Sequence, residues 1–147
     1  MGEIAIELKN ENWLYYGMFL DDKSKEKVLS ILGEEAVPEG WKQYLDHMTV
    51  IFNDGSENAR HWASLCEKQV GTTAVLMATH LGVSDRAIAL KVIGYQSNNA
   101  NPHVTISVAP GARPVESNQI TTWVPLKNPI YLNTTLSVVN KPRSQWK

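Results

Sequence analysis

A single cysteine, Cys66, in 147 residues excludes an internal disulfide and any zinc cluster built from cysteines. One lone thiol fits a reducing compartment, so a cytoplasmic location is expected. The chain also lacks any run of eighteen apolar residues, and no membrane span or membrane partner is expected. Met1 to Asn10 alternates acidic and apolar residues without a basic start, which does not read as a secretory signal. Charge of one sign is missing too. Fourteen basic against fifteen acidic residues leave a net charge of -1, so there is no global basic field to grip a long duplex. A small or single-stranded ligand held in a local pocket stays open. No carboxylate pair has metal-ligand spacing, and the candidate metal ligands are none.

What is present is enough apolar residue, 43%, to bury a core. No linker or low-complexity stretch divides the chain, which reads as one domain over 1–147 and is expected to be a monomer. Trp13 to Leu20 is aromatic-rich and short, a buried strand. Asp21 and Asp22 offer N-caps to a helix with Val28, Leu29 and Leu32 on one side and Gly33 as its stop. Glu34 to Gly40 is a loop leading through Trp41 and Tyr44 to a strand at His47. Asp54-Gly55-Ser56-Glu57 caps a second helix in which Ala59, Trp62, Ala63, Cys66 and Val70 recur at helical spacing up to Gly71. Thr72 to Leu81 and Arg86 to Ile93 form a hairpin around Gly82-Val83-Ser84-Asp85. A polar loop, Tyr95 to Pro102, precedes a strand at His103. Pro110 to Asn118 is a loop with at most one helical turn, Tyr131 to Val139 a last strand, and Lys141 to Lys147 a frayed tail. This order suggests an α+β fold with mostly antiparallel pairing.

Two segments share a pattern: His47-Met48-Thr49-Val50-Ile51-Phe52 and His103-Val104-Thr105-Ile106-Ser107-Val108. Each places a histidine, and a hydroxyl two residues later, at the start of a β-branched run. Side chains at i and i+2 of a strand share a face, so each segment aims an imidazole and a hydroxyl into the same space. Two such pairs would supply a general base, a general acid and two hydrogen-bond donors for a phosphate. The plain alternative is two edge-strand histidines that look alike. His61 and His80 have neither feature and read as structural.

On these two motifs, together with Tyr15-Tyr16-Gly17-Met18-Phe19-Leu20 and the block Pro102 to Pro110 leading into Val115-Glu116, the chain resembles the 2H phosphoesterase superfamily. Within it the chain looks most like the vertebrate-type 2′,3′-cyclic nucleotide 3′-phosphodiesterases. The resemblance implies a bilobal fold of two antiparallel β-sheets with flanking helices about a pseudo-twofold axis, one histidine strand in each lobe. The two motifs are closer together here than the family usually shows, which implies trimmed loops between them.

The resemblance implies a hydrolase acting without cofactor or metal in RNA processing or RNA repair. It would convert 2′,3′-cyclic phosphates of nucleotides or single-stranded RNA ends to 2′-phosphates. His47, Thr49, His103 and Thr105 would be catalytic, with His103 activating water and His47 protonating the leaving oxygen, and chelators would leave activity intact. Tyr15, Tyr16 and Trp41 are candidates for stacking on a base, and Arg113 for approaching a phosphate. Each has a structural alternative, a core aromatic or a solvated arginine. Two other functions compete: the same chemistry on 2′-5′ oligoadenylate or a cyclic oligonucleotide signal, and a non-catalytic module that binds RNA ends or nucleotides.

Overall fold

The computed structural model describes residues 7–146. Most of the N-terminal segment judged not to be a signal, and the last residue of the tail, lie outside the described residues. The elements are β1 (Trp13–Leu20), α1 (Asp22–Leu32), β2 (Lys42–Gln43), β3 (His47–Phe52), α2 (Glu57–Glu67), β4 (Thr73–Val83), β5 (Ala87–Ile93), β6 (His103–Val108) and β7 (Trp123–Asn140). Short 3-10 helices cover Glu34–Ala36, Pro114–Gln119 and Arg143–Gln145.

Both helices begin where the sequence offers an oxygen to the free backbone amides. The Asp21 carboxylate accepts from Ser24 N at 2.8 Å and the Ser56 hydroxyl accepts from Ala59 N at 3.1 Å. Gly33, at φ +74°, stops α1 by donating its amide to Leu29 O, a conformation that favours glycine. Val70, read as part of the apolar stripe of α2, lies beyond the helix end and is exposed.

All strand pairings are antiparallel, in the order β2-β6-β3-β1-β7-β4-β5, and β5 pairs with β6 as well. The expectation of two sheets in two lobes is therefore wrong. Six strands, β1, β3, β6, β5, β4 and β7, close on themselves as a single barrel, with β2 added beside β6. The reason is β6, which pairs with β5 on one edge and with β3 and β2 on the other. Strand periodicity reports which face is buried and not which edges are occupied, so the closure is invisible in the sequence. The ring is thinnest at β3 and β6, where Met48 and Val104 form the one registered pair. To one side of that pair Leu45 N and Tyr44 N bond Thr105 O and Ile106 O; to the other, Asn98 N bonds Val50 O.

The last strand is twice as long as expected. Pro125 and Pro129 read as breakers, yet Pro125 stands opposite His80, and 126–129 bulges out opposite Thr79. Residues 110–118 contain more helix than one turn, the 3-10 helix Pro114–Gln119, tied at its start by Arg113 N donating to the Glu116 carboxylate at 2.6 Å. Nor is the described tail free: Lys141 N bonds Asn12 O, and Trp146 Nε1 bonds Lys141 O.

One face of the sheet is packed. Met18, Met48, Val104, Leu90, Ala78 and Leu132 are fully buried there, joined by Val28 of α1 and by Ala59, Ala63 and Cys66 of α2. Burial pushes the Cys66 thiol up to about 11, which makes it an inert core group. Strand alternation sends the neighbours of Met48 and Val104 to the other face, and those neighbours are the two histidines and two threonines.

Candidate active site

The site starts from the Met48–Val104 pair. In an antiparallel ladder the residues on either side of a pair oppose one another in reverse order. His47 therefore faces Thr105, and Thr49 faces His103, so the two motifs lie diagonally across one small area of sheet. All four side chains are half-buried. Burial lowers the pKa of both imidazoles, and His103 lowers that of His47 further.

The two histidines are held differently. The His47 ring lies between Tyr15 (centroids 4.8 Å apart, planes 21°) and Phe19 (5.0 Å, 33°). These two aromatics project from the same face of β1 and flank Gly17, which stands beside Thr49, while Phe19 stands beside His47. A Cβ on Gly17 would sit 3.1 Å from His47 Cδ2 and 3.1 Å from Met48 O, so the glycine makes room for the imidazole. His47 Nε2 lies 3.2 Å from Thr49 Oγ1, and its Nδ1 is buried without a hydrogen-bond partner among the described residues. An imidazolium has two N–H donors, and here one of them would be stranded. Burial is the main cause that takes the His47 pKa down to about 4; His103 lowers it further, and the Asp46 carboxylate offsets part of the drop.

His103 has a different anchor. Its Nδ1 lies 2.8 Å from Asn101 O. A carbonyl only accepts, so Nδ1 carries the proton and the neutral ring presents Nε2 as a lone pair. Burial lowers the His103 pKa and the Asn101 carbonyl opposes it. Thr105 Oγ1 is 2.8 Å from Ser117 Oγ and 3.4 Å from Pro114 O. Ser117 is fully buried in the 3-10 helix after β6. Sequence reasoning missed it, although it lies just past the Val115-Glu116 block; no pattern joins a loop serine to a strand threonine before the chain has folded.

The candidate binding residues divide. Tyr15 lines the site against His47, and burial followed by the nearby Asp46 charge raises its phenol. Tyr16 does not reach the site: one residue along the strand it points to the packed face, is 1% exposed, lies tilted against Trp13 with ring centroids 5.6 Å apart, and has its phenol pKa raised to about 12 mainly by burial. Trp41 is half-buried and packed against the main core. Arg113 is exposed, one residue before the Pro114 carbonyl that Thr105 approaches. His61 is exposed on α2, and His80 is half-buried on β4 with Nδ1 2.8 Å from Thr79 Oγ1. Among the described residues no group of three or more histidine, cysteine, aspartate or glutamate side chains could hold a metal ion, and no helix is long and apolar enough to cross a membrane.

No protein-family model matches the chain, and no curated protein matches it. Among solved structures the fold is similar to a chain of the "Crystal Structure of Fungal RNA Kinase", with a TM-score of 0.68 and 16% identity, covering 92% of this chain and 47% of that one. The chain thus spans about half the length of the protein it matches, and the likeness is one of fold. It does not tie the chain to the vertebrate-type branch named above.

Proposed function

We propose that this protein is a metal-independent phosphodiesterase that opens 2′,3′-cyclic phosphates of nucleotides or RNA ends to 2′-phosphates. The observation that carries the reading is the diagonal of two imidazoles and two hydroxyls about the Met48–Val104 pair. The neighbour's description as an RNA kinase is consistent with an RNA-end substrate.

The two anchors divide the labour. His103, with Nδ1 committed to Asn101 O, offers Nε2 to take a proton from water as its oxygen attacks phosphorus. The P–O3′ bond breaks, and His47 Nε2 gives a proton to the departing O3′. Exchange with solvent restores both rings. Thr49 and Thr105 donate to the non-bridging oxygens as charge develops there. A hydroxyl has one proton, so Thr105 donates to substrate when it accepts from Ser117, which makes Ser117 a positioning residue.

A His47 with a pKa of about 4 is neutral in the empty site at neutral pH. The anionic phosphate favours its protonated form, so binding is linked to proton uptake. The base His103 is also lowered, so both limbs of the rate profile move to the acid side. The kcat/KM for 2′,3′-cyclic AMP is expected to peak below pH 6.5, the ordinary histidine value; a plateau extending upward from pH 7.5 contradicts this assignment.

The direct test is incubation with 2′,3′-cyclic AMP in EDTA, with the product identified by chromatography. Adenosine 2′-phosphate is the expected product. No hydrolysis, a 3′-phosphate, or loss of activity with the chelator overturns the reading. Gly17→Ala, which crowds His47 Cδ2, is expected to lower kcat roughly 10- to 100-fold through a displaced ring while leaving thermal unfolding cooperative. Unchanged kinetics in this variant means that the position of the His47 ring does not matter.

A further inference from the structure

Beyond the four reacting groups, the same face continues across β5 and β4; Ile120 and Trp123 cover Ala87 and Ala89 on part of it, and beside that cover it is not neutral. Lys91 is the registered partner of His103 on β5, and His80 is the registered partner of Lys91 on β4. Cross-strand partners share a face, with neighbouring strands about 4.8 Å apart, so an ammonium and a second imidazole extend in a row from His103. One step along, Gly82 on β4 is paired with Trp123 of β7. The indole lies flat against that glycine: a Cβ there would come within 2.5 Å of its ring atoms. Lys91 Nζ stands 5.3 Å from the Trp123 ring centre and has no carboxylate partner among the described residues. Glu116, on the 3-10 helix after β6, is paired with Arg86 at 2.7 Å. A cation without a carboxylate partner one strand spacing from His103, with an indole beside it over the next strand, offers what a second nucleotide unit requires.

We infer that Lys91 and Trp123 form a second subsite beside His103, Lys91 taking the phosphate on the 5′ oxygen of the terminal nucleoside and Trp123 stacking on the preceding base. This rests on the phosphodiesterase reading and specifies its substrate: an RNA chain end rather than a free cyclic mononucleotide. The bound strand crosses from β3 and β6 onto β5 and β4. In the empty site the Lys91 ammonium lies over the indole; a bound phosphate draws it off the ring and frees that face for the base.

The test uses three stable 2′-phosphate ligands in calorimetric binding to the intact protein: adenosine 2′-phosphate, adenosine 2′,5′-bisphosphate and ApA carrying a 2′-phosphate at its 3′ end. Affinity is expected to rise in that order, by tenfold or more from first to last. In Lys91→Ala the bisphosphate loses its advantage over the monophosphate, and Lys91→Arg restores it. In Trp123→Leu the dinucleotide loses its advantage over the bisphosphate. Added salt weakens the two longer ligands more than the first, because one more phosphate contact is screened. Equal affinity for all three in the wild type overturns the subsite, as does a uniform loss in Lys91→Ala. Bisphosphate and dinucleotide binding equally, with Trp123→Leu silent, overturns the RNA assignment. Because these ligands are not turned over, an intact affinity order without hydrolysis of 2′,3′-cyclic AMP rejects the catalytic reading and leaves the subsite standing.

Discussion

His47→Ala and His103→Ala are each expected to lower the rate of 2′,3′-cyclic AMP hydrolysis by about 10³-fold, within the 10²- to 10⁴-fold range of general acid–base groups. The double variant should be little worse than either single one, because removing one partner already disables the proton relay of the other. The two losses differ in kind. Removing His103 takes away the lone pair that Asn101 O sets towards the substrate, so the loss falls on kcat, and an added small imidazole rescues part of it. Removing His47 also empties the slot between Tyr15 and Phe19 and removes the cation induced by a bound phosphate, so binding of the 2′-phosphate product weakens as well. Steady-state kinetics with calorimetric product binding separates the two. Wild-type turnover in the double variant rules out the mechanism. Thr49→Val and Thr105→Val, each deleting one donor to the non-bridging oxygens, should fall between the wild type and the histidine variants.

The second large effect is on stability. In the unfolded chain His47 takes up a proton near pH 6.5, whereas in the folded protein burial holds it neutral down to about 4. Between those values the unfolded state binds more protons, so stability is complete above pH 6.5 and is lost as pH falls, levelling off near pH 4. The gap is worth roughly 3 kcal/mol, and His103, lowered for the same reason, acts in the same direction. Urea unfolding of the wild type should show a midpoint that falls between pH 7 and pH 4.5. His47→Gln, which does not titrate, should lose a large part of that decline. The same decline in both proteins shows that His47 does not carry a depressed pKa. Ser117→Ala adds a smaller, local prediction: it unsettles the Thr105 hydroxyl and should reduce kcat several-fold with little change in unfolding.

The stability cost and the proposed catalytic use rest on one arrangement. An imidazole sandwiched by aromatics over a glycine is expensive to charge. In the proposed mechanism the same imidazole is the proton donor, charged only when a bound phosphate offsets that cost. Gly17 links sequence to this chemistry most directly. Within Tyr15-Tyr16-Gly17-Met18-Phe19 the odd positions face the site and the even ones the core, so alternation alone separates Tyr15 from Tyr16 once the packed face is known. Composition does not show that division: Tyr15 and Tyr16 are equal as aromatics, and only the packed face tells them apart.

The sequence by itself determined the pieces that local rules control. The β-branched runs opened by His47 and His103, the two capped helices, and the sharing of a face by histidine and threonine follow from periodicity and capping oxygens acting over a few residues. Only the tertiary structure decided which strand edges meet. That choice turned an expected pair of sheets into one closed ring, carried β7 through two prolines, and set His47 opposite Thr105. It also placed Lys91 beside His103 and Ser117 beneath Thr105, since contacts between residues far apart in the chain depend on register and closure, and neither leaves a local pattern.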